Sequence, residues 1–279
     1  MDHTLTSEEE PKEPFAEAQA ATKMPWMLGL FDVLGFSDRI ASDGPEKVYE
    51  AYRRLIERAV QKEGQWCIGA MRMPGESGRV PTMGFVDVRY AYFSDTIMLW
   101  LPLHPMFAGP FLQRCADLVC EGLLAGIPLR GAVSLGEGYM HKRSGTYIGS
   151  MVVEAARLEA AQNWIGAGLG PSATWPNFMA EVSPTQIIEY EVPVKPGMES
   201  LRSPIALDWP RRWRDTEAGS LQDRLRELTP EGRHSVYYEQ AAAFARWSEQ
   251  HHDWHNAPDD RTGFKHLRMI PESDVPRPA

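Results

Sequence analysis

The apolar run from Trp26 to Phe31 ends on Asp32 and gives way to Val33-Leu34-Gly35-Phe36-Ser37. That pattern predicts a buried strand running into a turn and then a helix, with the Asp32 carboxylate at the strand's C-terminal edge. After Gly44-Pro45-Glu46, Val48, Tyr49, Tyr52, Leu55, Ile56 and Val60 recur at helical spacing between charges, a stripe expected to pack on a sheet. Gly64–Thr82 mixes Gly, Pro and Met without a clear period and reads as a loop or an irregular strand. From about Val86 to Leu101 the pattern is that of a β-hairpin, with Ser94-Asp95 near its tip.

Pro110–Leu124 predicts a second helix, and Leu129–Leu135 a strand closed by Gly136-Glu137-Gly138. Ser150–Gln162, rich in Ala and Leu, predicts a helix stopped by Gly166–Gly170. Gln186–Val194 alternates as a strand, Lys195-Pro196-Gly197 turns the chain, and a further strand is expected at Pro204–Trp209. Pro230–His252 reads as one long amphipathic helix with Tyr237, Ala241, Phe244 and Trp247 on one side, followed by a strand-like run at Phe264–Ile270. The core order is β-α-β-β-α-β, the split βαβ or ferredoxin-like arrangement. It implies an α/β fold, an α+β sandwich with helices on one sheet face, plus extra C-terminal helix and strands. Residues 1–23 read as an acidic tail, 24–210 as the catalytic-type domain and 211–279 as a helical extension packed on it.

Composition narrows the function classes. A net charge of −9 argues against nucleic acid or an anionic membrane as the main partner, and leaves room for a small anionic ligand carrying its own metal. The three cysteines, Cys67, Cys115 and Cys120, have no zinc spacing, so reduced thiols are expected. No run of eighteen apolar residues and no basic-then-apolar leader pattern occurs, which points to a soluble, cytoplasmic protein with no membrane partner.

Asp32 and Asp95 are lone carboxylates, each at the end of a strand in otherwise apolar sequence. Such a pair suits a hard divalent cation held by few protein oxygens together with substrate phosphates. Each candidate also has a structural reading. An Asp at a strand end caps turns, Arg157 fits an ion pair with Glu154 or Glu159, and Arg130 fits a strand-end salt bridge. Lys195 fits a solvated turn, and of Tyr90 and Tyr92, which flank Ala91 along a strand, only one is expected to face a pocket. His251, His252 and His255 lie at a polar helix end and read as a solvated terminus.

Four stretches carry a resemblance. Phe31-Asp32-Val33-Leu34-Gly35-Phe36-Ser37 resembles the FxDIxGFT signature of class III nucleotidyl cyclases, and Ser94-Asp95 resembles that family's Gly-Asp step. Leu129–Gly136 resembles its RxGIHxG strand, and Tyr147–Glu159 its WGxxVNxAARLE helix. The match covers roughly Trp26 to Asn163. It implies that Asp32, Asp95 and the Val33 carbonyl hold two divalent cations, Mn²⁺ or Mg²⁺. It also implies that Phe31, Leu34, Gly35 and Phe36 lie along the substrate's phosphates, with Arg130 and Lys195 as further phosphate contacts. Tyr90, Tyr92 and Thr146 would lie near the base, and Arg157 would stabilise the transition state from the second subunit of a homodimer with shared active sites.

The place of the family's adenine-reading lysine is Ala91, and that of its helix asparagine is Val153. Aromatic bulk with the lysine lost is similar to the pyrimidine cyclases of bacterial Pycsar anti-phage systems. There, UTP or CTP becomes the 3′,5′-cyclic monophosphate plus pyrophosphate, and the product activates a separate effector. The resemblance implies the same activity here, with UTP favoured on family prevalence. The alternative is a catalytically inactive cyclase-like domain that binds nucleotide and signals by conformation.

Overall fold

The structure, a computed structural model, describes residues 23–60, 65–72, 79–142, 144–174, 186–216 and 218–251. Strand β1 (Met24–Val33) leads through helix α1 (Phe36–Asp43) into α2 (Pro45–Ala59). A separate two-stranded hairpin follows, β2 (Gln65–Arg72) with β3 (Arg79–Val86). Next come β4 (Arg89–Phe93), β5 (Thr96–Pro102), α3 (Ala108–Leu124), β6 (Leu129–His141), β7 (Thr146–Gly149) and α4 (Ser150–Ala161). The chain continues through β8 (Gly166–Leu169), β9 (Ile187–Glu189) and β10 (Ile205–Leu207) to helices α5 (Trp209–Arg214), α6 (Leu221–Leu228) and α7 (Ser235–Gln250).

The main sheet runs β4-β5-β1-β6-β8-β10-β9, with β7 hydrogen-bonded to β6. Strand β1 is central and antiparallel to both β5 and β6, whereas β8 joins β6 in parallel. The first four strands, β4-β5-β1-β6, therefore have the spatial order of a split βαβ. Across the β1–β6 pair, Gly131 lies directly opposite Phe31, and a Cβ at 131 would collide with the Phe31 ring and the Leu30 carbonyl. The close approach of two backbones around a buried aromatic needs glycine there.

Alternation along β1 sorts its side chains onto two covered faces. Met27, Phe31 and Val33 join a core with Tyr52, Leu55 and Ile56 of α2 and Phe111, Leu112 and Cys115 of α3. Trp26, Leu28 and Leu30 join Met98, Trp100 and Ala132 in a second core against Met151, Ala155 and Leu158 of α4. The expectation of helices on one face only is thus corrected. A strand whose successive residues are all apolar has no face left for water, and α4 covers the second one.

Other segments also differ from their sequence reading, and Gly136-Glu137-Gly138, expected to close a strand, lies inside β6. Gly166–Leu169, expected only to stop a helix, is the buried strand β8. The predicted strand Gln186–Val194 keeps only Ile187–Glu189 as a strand, with an isolated bridge from Gln162 to Val194. The long helix expected over Pro230–His252 is the shorter α7, and α5 and α6, absent from the sequence reading, precede it. The tail before residue 23 and the run Phe264–Ile270 lie outside the described residues. Cys115 and Cys120 are free and buried, and burial pushes both thiols well up, which makes them inert. Among the described residues no helix is long and apolar enough to cross a membrane.

The C-terminal helices are tied to the core through polar groups as well as packing. Arg212 Nε donates to Asp117 Oδ1 of α3 at 2.5 Å, and Arg224 donates to the carbonyls of Leu123 and Leu124 at 2.9 Å each, where α3 ends. Asp208, 2% exposed, caps α5 by accepting from the Arg211 amide at 3.3 Å, and accepts from Ser248 Oγ at 2.5 Å. Burial pushes its carboxyl up to about 6.

Because the folded form holds its proton more tightly than the unfolded chain does, Asp208 contributes stability that is complete below about pH 4 and lost as pH rises through about 6. The loss amounts to roughly 3 kcal/mol. Asp208→Asn keeps an acceptor at the cap and removes the titration. Urea melts between pH 4 and 7 should therefore show a shallower decline for the variant than for the wild type. Parallel curves would assign the slope to other groups.

Candidate active site

The two carboxylates that the sequence singles out are brought together by strand register. Asp32 pairs with Thr96 across the β1–β5 ladder, and Asp95 precedes Thr96 in the two-residue turn that joins β4 to β5. The Val33 amide donates to the Asp95 carbonyl at 2.9 Å, which fastens the turn to the end of β1. Ser94, the first turn residue, sits at φ 53°, a left-handed conformation that glycine adopts without steric cost. On its other side Asp32 pairs with Arg130 of β6.

Asp32, Asp95, Arg130 and Lys195 line one cavity of about 630 Å³. Arg130 Nη2 donates to Asp32 Oδ2 at 3.1 Å, and its Nε and Nη2 lie 2.7 and 2.6 Å from Glu159 Oε1 of α4. Arg130 Nη1 donates to the Gln162 carbonyl at 3.2 Å. Lys195 Nζ donates to the Ala160 carbonyl at 2.6 Å, at the end of α4. Arg130 thus makes the salt bridges that its structural reading allowed, and Lys195 lines the same cavity.

Burial pushes the Asp32 carboxyl up, with a smaller upward push from the like charge of Asp95, against the pull of Arg130 and Lys195. Burial also pushes Glu159 up, again opposed by Arg130. Lys195 is lowered by burial and by the neighbouring Arg130 charge, partly offset by Glu159 and Asp32. When all are ionised, the cavity's Asp32, Asp38, Asp43 and Asp95 together with Glu159 outnumber the cations Arg39, Arg130 and Lys195, a net charge of −2. That imbalance, with two carboxylates at one opening, fits a hard divalent cation. Among the described residues no group of three His, Cys, Asp or Glu could hold a metal alone. Two carboxylates need oxygens from water or a substrate phosphate to complete the shell, the usual arrangement for Mg²⁺.

Leu34, Gly35 and Phe36 line the cavity, and Gly35 adopts φ 73° at the start of α1. The Leu34 amide donates to the Pro128 carbonyl at 3.0 Å, so the phosphate cradle expected from Leu34–Phe36 narrows to the amides that open α1. Phe31 is corrected as a substrate contact, because its ring is fully buried under α3. The Val33 side chain is likewise core, which leaves only its backbone for a metal.

Tyr90, Tyr92 and Thr146 are not among the described residues that line this cavity. Tyr90 packs on the core with Lys142 Nζ 4.1 Å from its ring centre, and Tyr92 is exposed. Thr146 Oγ1 lies 2.7 Å from Ser144 Oγ at the start of β7. Arg157 is exposed on α4 and has no ion pair among the described residues. Both rival partners are engaged elsewhere, Glu159 with Arg130 and Glu154 with the amide and hydroxyl of Ser172 at 3.1 and 2.7 Å. Arg157 lines a second cavity of about 640 Å³, between α4 and Ser200–Pro204. Val153, four residues before Arg157 on α4 and lining the same cavity, is 52% exposed.

Sequence reasoning missed several cavity residues. Arg39 of α1 lines it while donating to the Gly126 carbonyl, and Pro230, His234, Tyr237 and Tyr238 form a wall from the C-terminal segment. The His234 and Tyr237 rings stack, with centres 5.8 Å apart. Behind the carboxylates, the Tyr52 hydroxyl is buried with no hydrogen-bond partner among the described residues, and Phe36 meets its ring edge-on at 5.8 Å. Nothing in the sequence set Glu159 apart from Glu154 and Arg157 of the same helix, because its partner lies on a distant strand. No protein-family model matches this sequence, and no curated protein matches it.

Proposed function

We propose that the chain is a nucleotidyl cyclase of the class III kind. More narrowly, we propose that it is a pyrimidine cyclase, turning UTP or CTP into the 3′,5′-cyclic monophosphate and pyrophosphate. The observation that carries the first step is the joining of Asp32 and Asp95 by register and by the Val33–Asp95 backbone bond, at a cavity that also presents Arg130 and Lys195. The split βαβ strand order and the left-handed Ser94, where the family has glycine, support it. The second step rests on Ala91 of β4 standing where the resembled family has its adenine-reading lysine, since Tyr90 and Tyr92 do not line the Asp32–Asp95 cavity, and UTP is favoured on family prevalence alone.

In this reading the ribose 3′-oxygen attacks the α-phosphorus and pyrophosphate leaves in line, so positioning and charge neutralisation supply most of the rate. Asp32, Asp95 and the Val33 carbonyl would hold two Mg²⁺ or Mn²⁺ ions, which lower the pKa of the attacking hydroxyl and draw charge from the leaving phosphates. Arg130 and Lys195 present fixed positive charge to the phosphates. The amides opening α1 donate to them. Arg157, free of local partners, stabilises the α-phosphoryl oxygens of the other subunit's site in a homodimer. The product acts on a separate effector in anti-phage defence.

One residue favours a second reading. Val153 stands where the family's helix asparagine would be, which suits an inactive domain that binds nucleotide and signals by conformation. Incubation with each of the four ribonucleoside triphosphates and Mn²⁺, followed by chromatography, separates the two. Cyclic UMP or cyclic CMP is the expected main product. Cyclic AMP or GMP in its place overturns the pyrimidine assignment. Calorimetric binding without turnover selects the inactive domain.

A further inference from the structure

Arg130 is held from two sides, and unequally. Glu159 Oε1 takes both Nε and Nη2, at 2.7 and 2.6 Å, and the Gln162 carbonyl takes Nη1, whereas Asp32 receives only one bond, at 3.1 Å. Arg130 is 8% exposed and Glu159 9%, so both charges lie out of water. A buried guanidinium with Asp32 as its sole counter-ion would pin that carboxylate. A cation could then claim Asp32 only by leaving Arg130 unpaired in a poorly solvated place, which is strongly unfavourable. Glu159 removes this obstacle, because Arg130 stays neutralised and hydrogen-bonded when Asp32 turns an oxygen elsewhere.

We infer that Glu159 is a positioning residue which sets the divalent-cation affinity of the Asp32–Asp95 pair, by holding Arg130 so that Asp32 is free to bind metal. The inference rests on the cation site proposed above. Glu159 reaches the metal ligands through the guanidinium, and it sits on α4, the helix that also carries Arg157. Its role is electrostatic, so an isosteric neutral residue that preserves the hydrogen bonds should not preserve the effect.

Glu159→Gln is that test, since the amide oxygen still accepts from Nε and Nη2. Mn²⁺ binding is measured by calorimetry on the full-length protein without nucleotide, alongside Arg130→Gln and the double variant. Glu159→Gln should weaken Mn²⁺ binding about tenfold, and Arg130→Gln should tighten it. The double variant, with both charges removed, should return to within about threefold of wild type. Should Glu159→Gln not fold, the comparison of Arg130→Gln with the double variant reads the same charge, the double variant being the weaker binder. Wild-type affinity in Glu159→Gln, or a loss that the double variant does not reverse, overturns the inference while leaving the cation site intact. A wild-type protein that binds no Mn²⁺ overturns the cation site itself and this inference with it.

Discussion

Asp32→Asn is expected to remove cyclase turnover, lowering kcat by at least about 10³-fold, while leaving the protein folded and no less stable. The two halves of this expectation come from the same environment. Burial and the like charge of Asp95 hold the Asp32 carboxyl above its ordinary range. Folding therefore works against its ionised form, and at neutral pH the charge costs stability. Asparagine keeps the shape and accepts from Arg130, which also retains Glu159 and the Gln162 carbonyl. What is lost is an anionic oxygen at the cavity, the feature a hard cation needs. Thermal melts at pH 7 should place the variant at or above the wild-type midpoint, and product chromatography with UTP should show no cyclic nucleotide. Turnover near the wild-type rate in a folded Asp32→Asn would remove Asp32 from the site.

That trade of stability for charge was partly legible in the sequence. An aspartate closing an apolar strand, and another at a hairpin tip, stood out because the flanking residues left little doubt about local structure. The hairpin turn formed at Ser94-Asp95 as its pattern predicts. The meeting of the two acids depends on register between β1 and β5, which the hydrophobic pattern and the two-residue turn together constrain. Less local features were harder to read. Gly166–Leu169 has no β-branched or aromatic residue, so nothing marks it as a strand until β6 and β10 flank it. Helices α5 and α6 are short, and packing on α3 rather than propensity holds them.

The Arg130–Glu159 pair spans 29 positions and joins a strand to a helix, a contact that no periodicity encodes. The C-terminal wall of the cavity, at His234 and Tyr237, falls in the stretch read as one amphipathic helix, of which Tyr237 lies in α7 and His234 just before it, and nothing in that pattern tied it to the candidate site. Its polar residues gain meaning only from the loop at Pro128 and the α1 start that they face.

The second large effect concerns Arg157. In one chain it lines a different cavity from Asp32 and Asp95, and neither acid beside it on α4 is available to pair with it. An exposed arginine without a local counter-ion, beside exposed Val153, suits a surface completed by a second copy of the chain. Arg157→Ala should then lower kcat about 10²- to 10³-fold with little change in melting temperature, since it removes charge stabilisation that only the transition state uses.

The geometry makes a sharper demand on mixtures. Asp32→Ala and Arg157→Ala should each be inactive alone. A heterodimer of the two carries one site with both defects and one with neither. At equal concentrations and full subunit exchange, half of the dimers are heterodimers, so about a quarter of wild-type activity should return. Exchange can be verified with differently tagged chains. Recovery near that fraction places the arginine and the carboxylates on opposite subunits of one site. No recovery despite verified exchange would mean that Arg157 works within its own chain, or not at all. That absence of recovery would discard the shared-site arrangement while leaving the Asp32–Asp95 pair to be judged by its own variant.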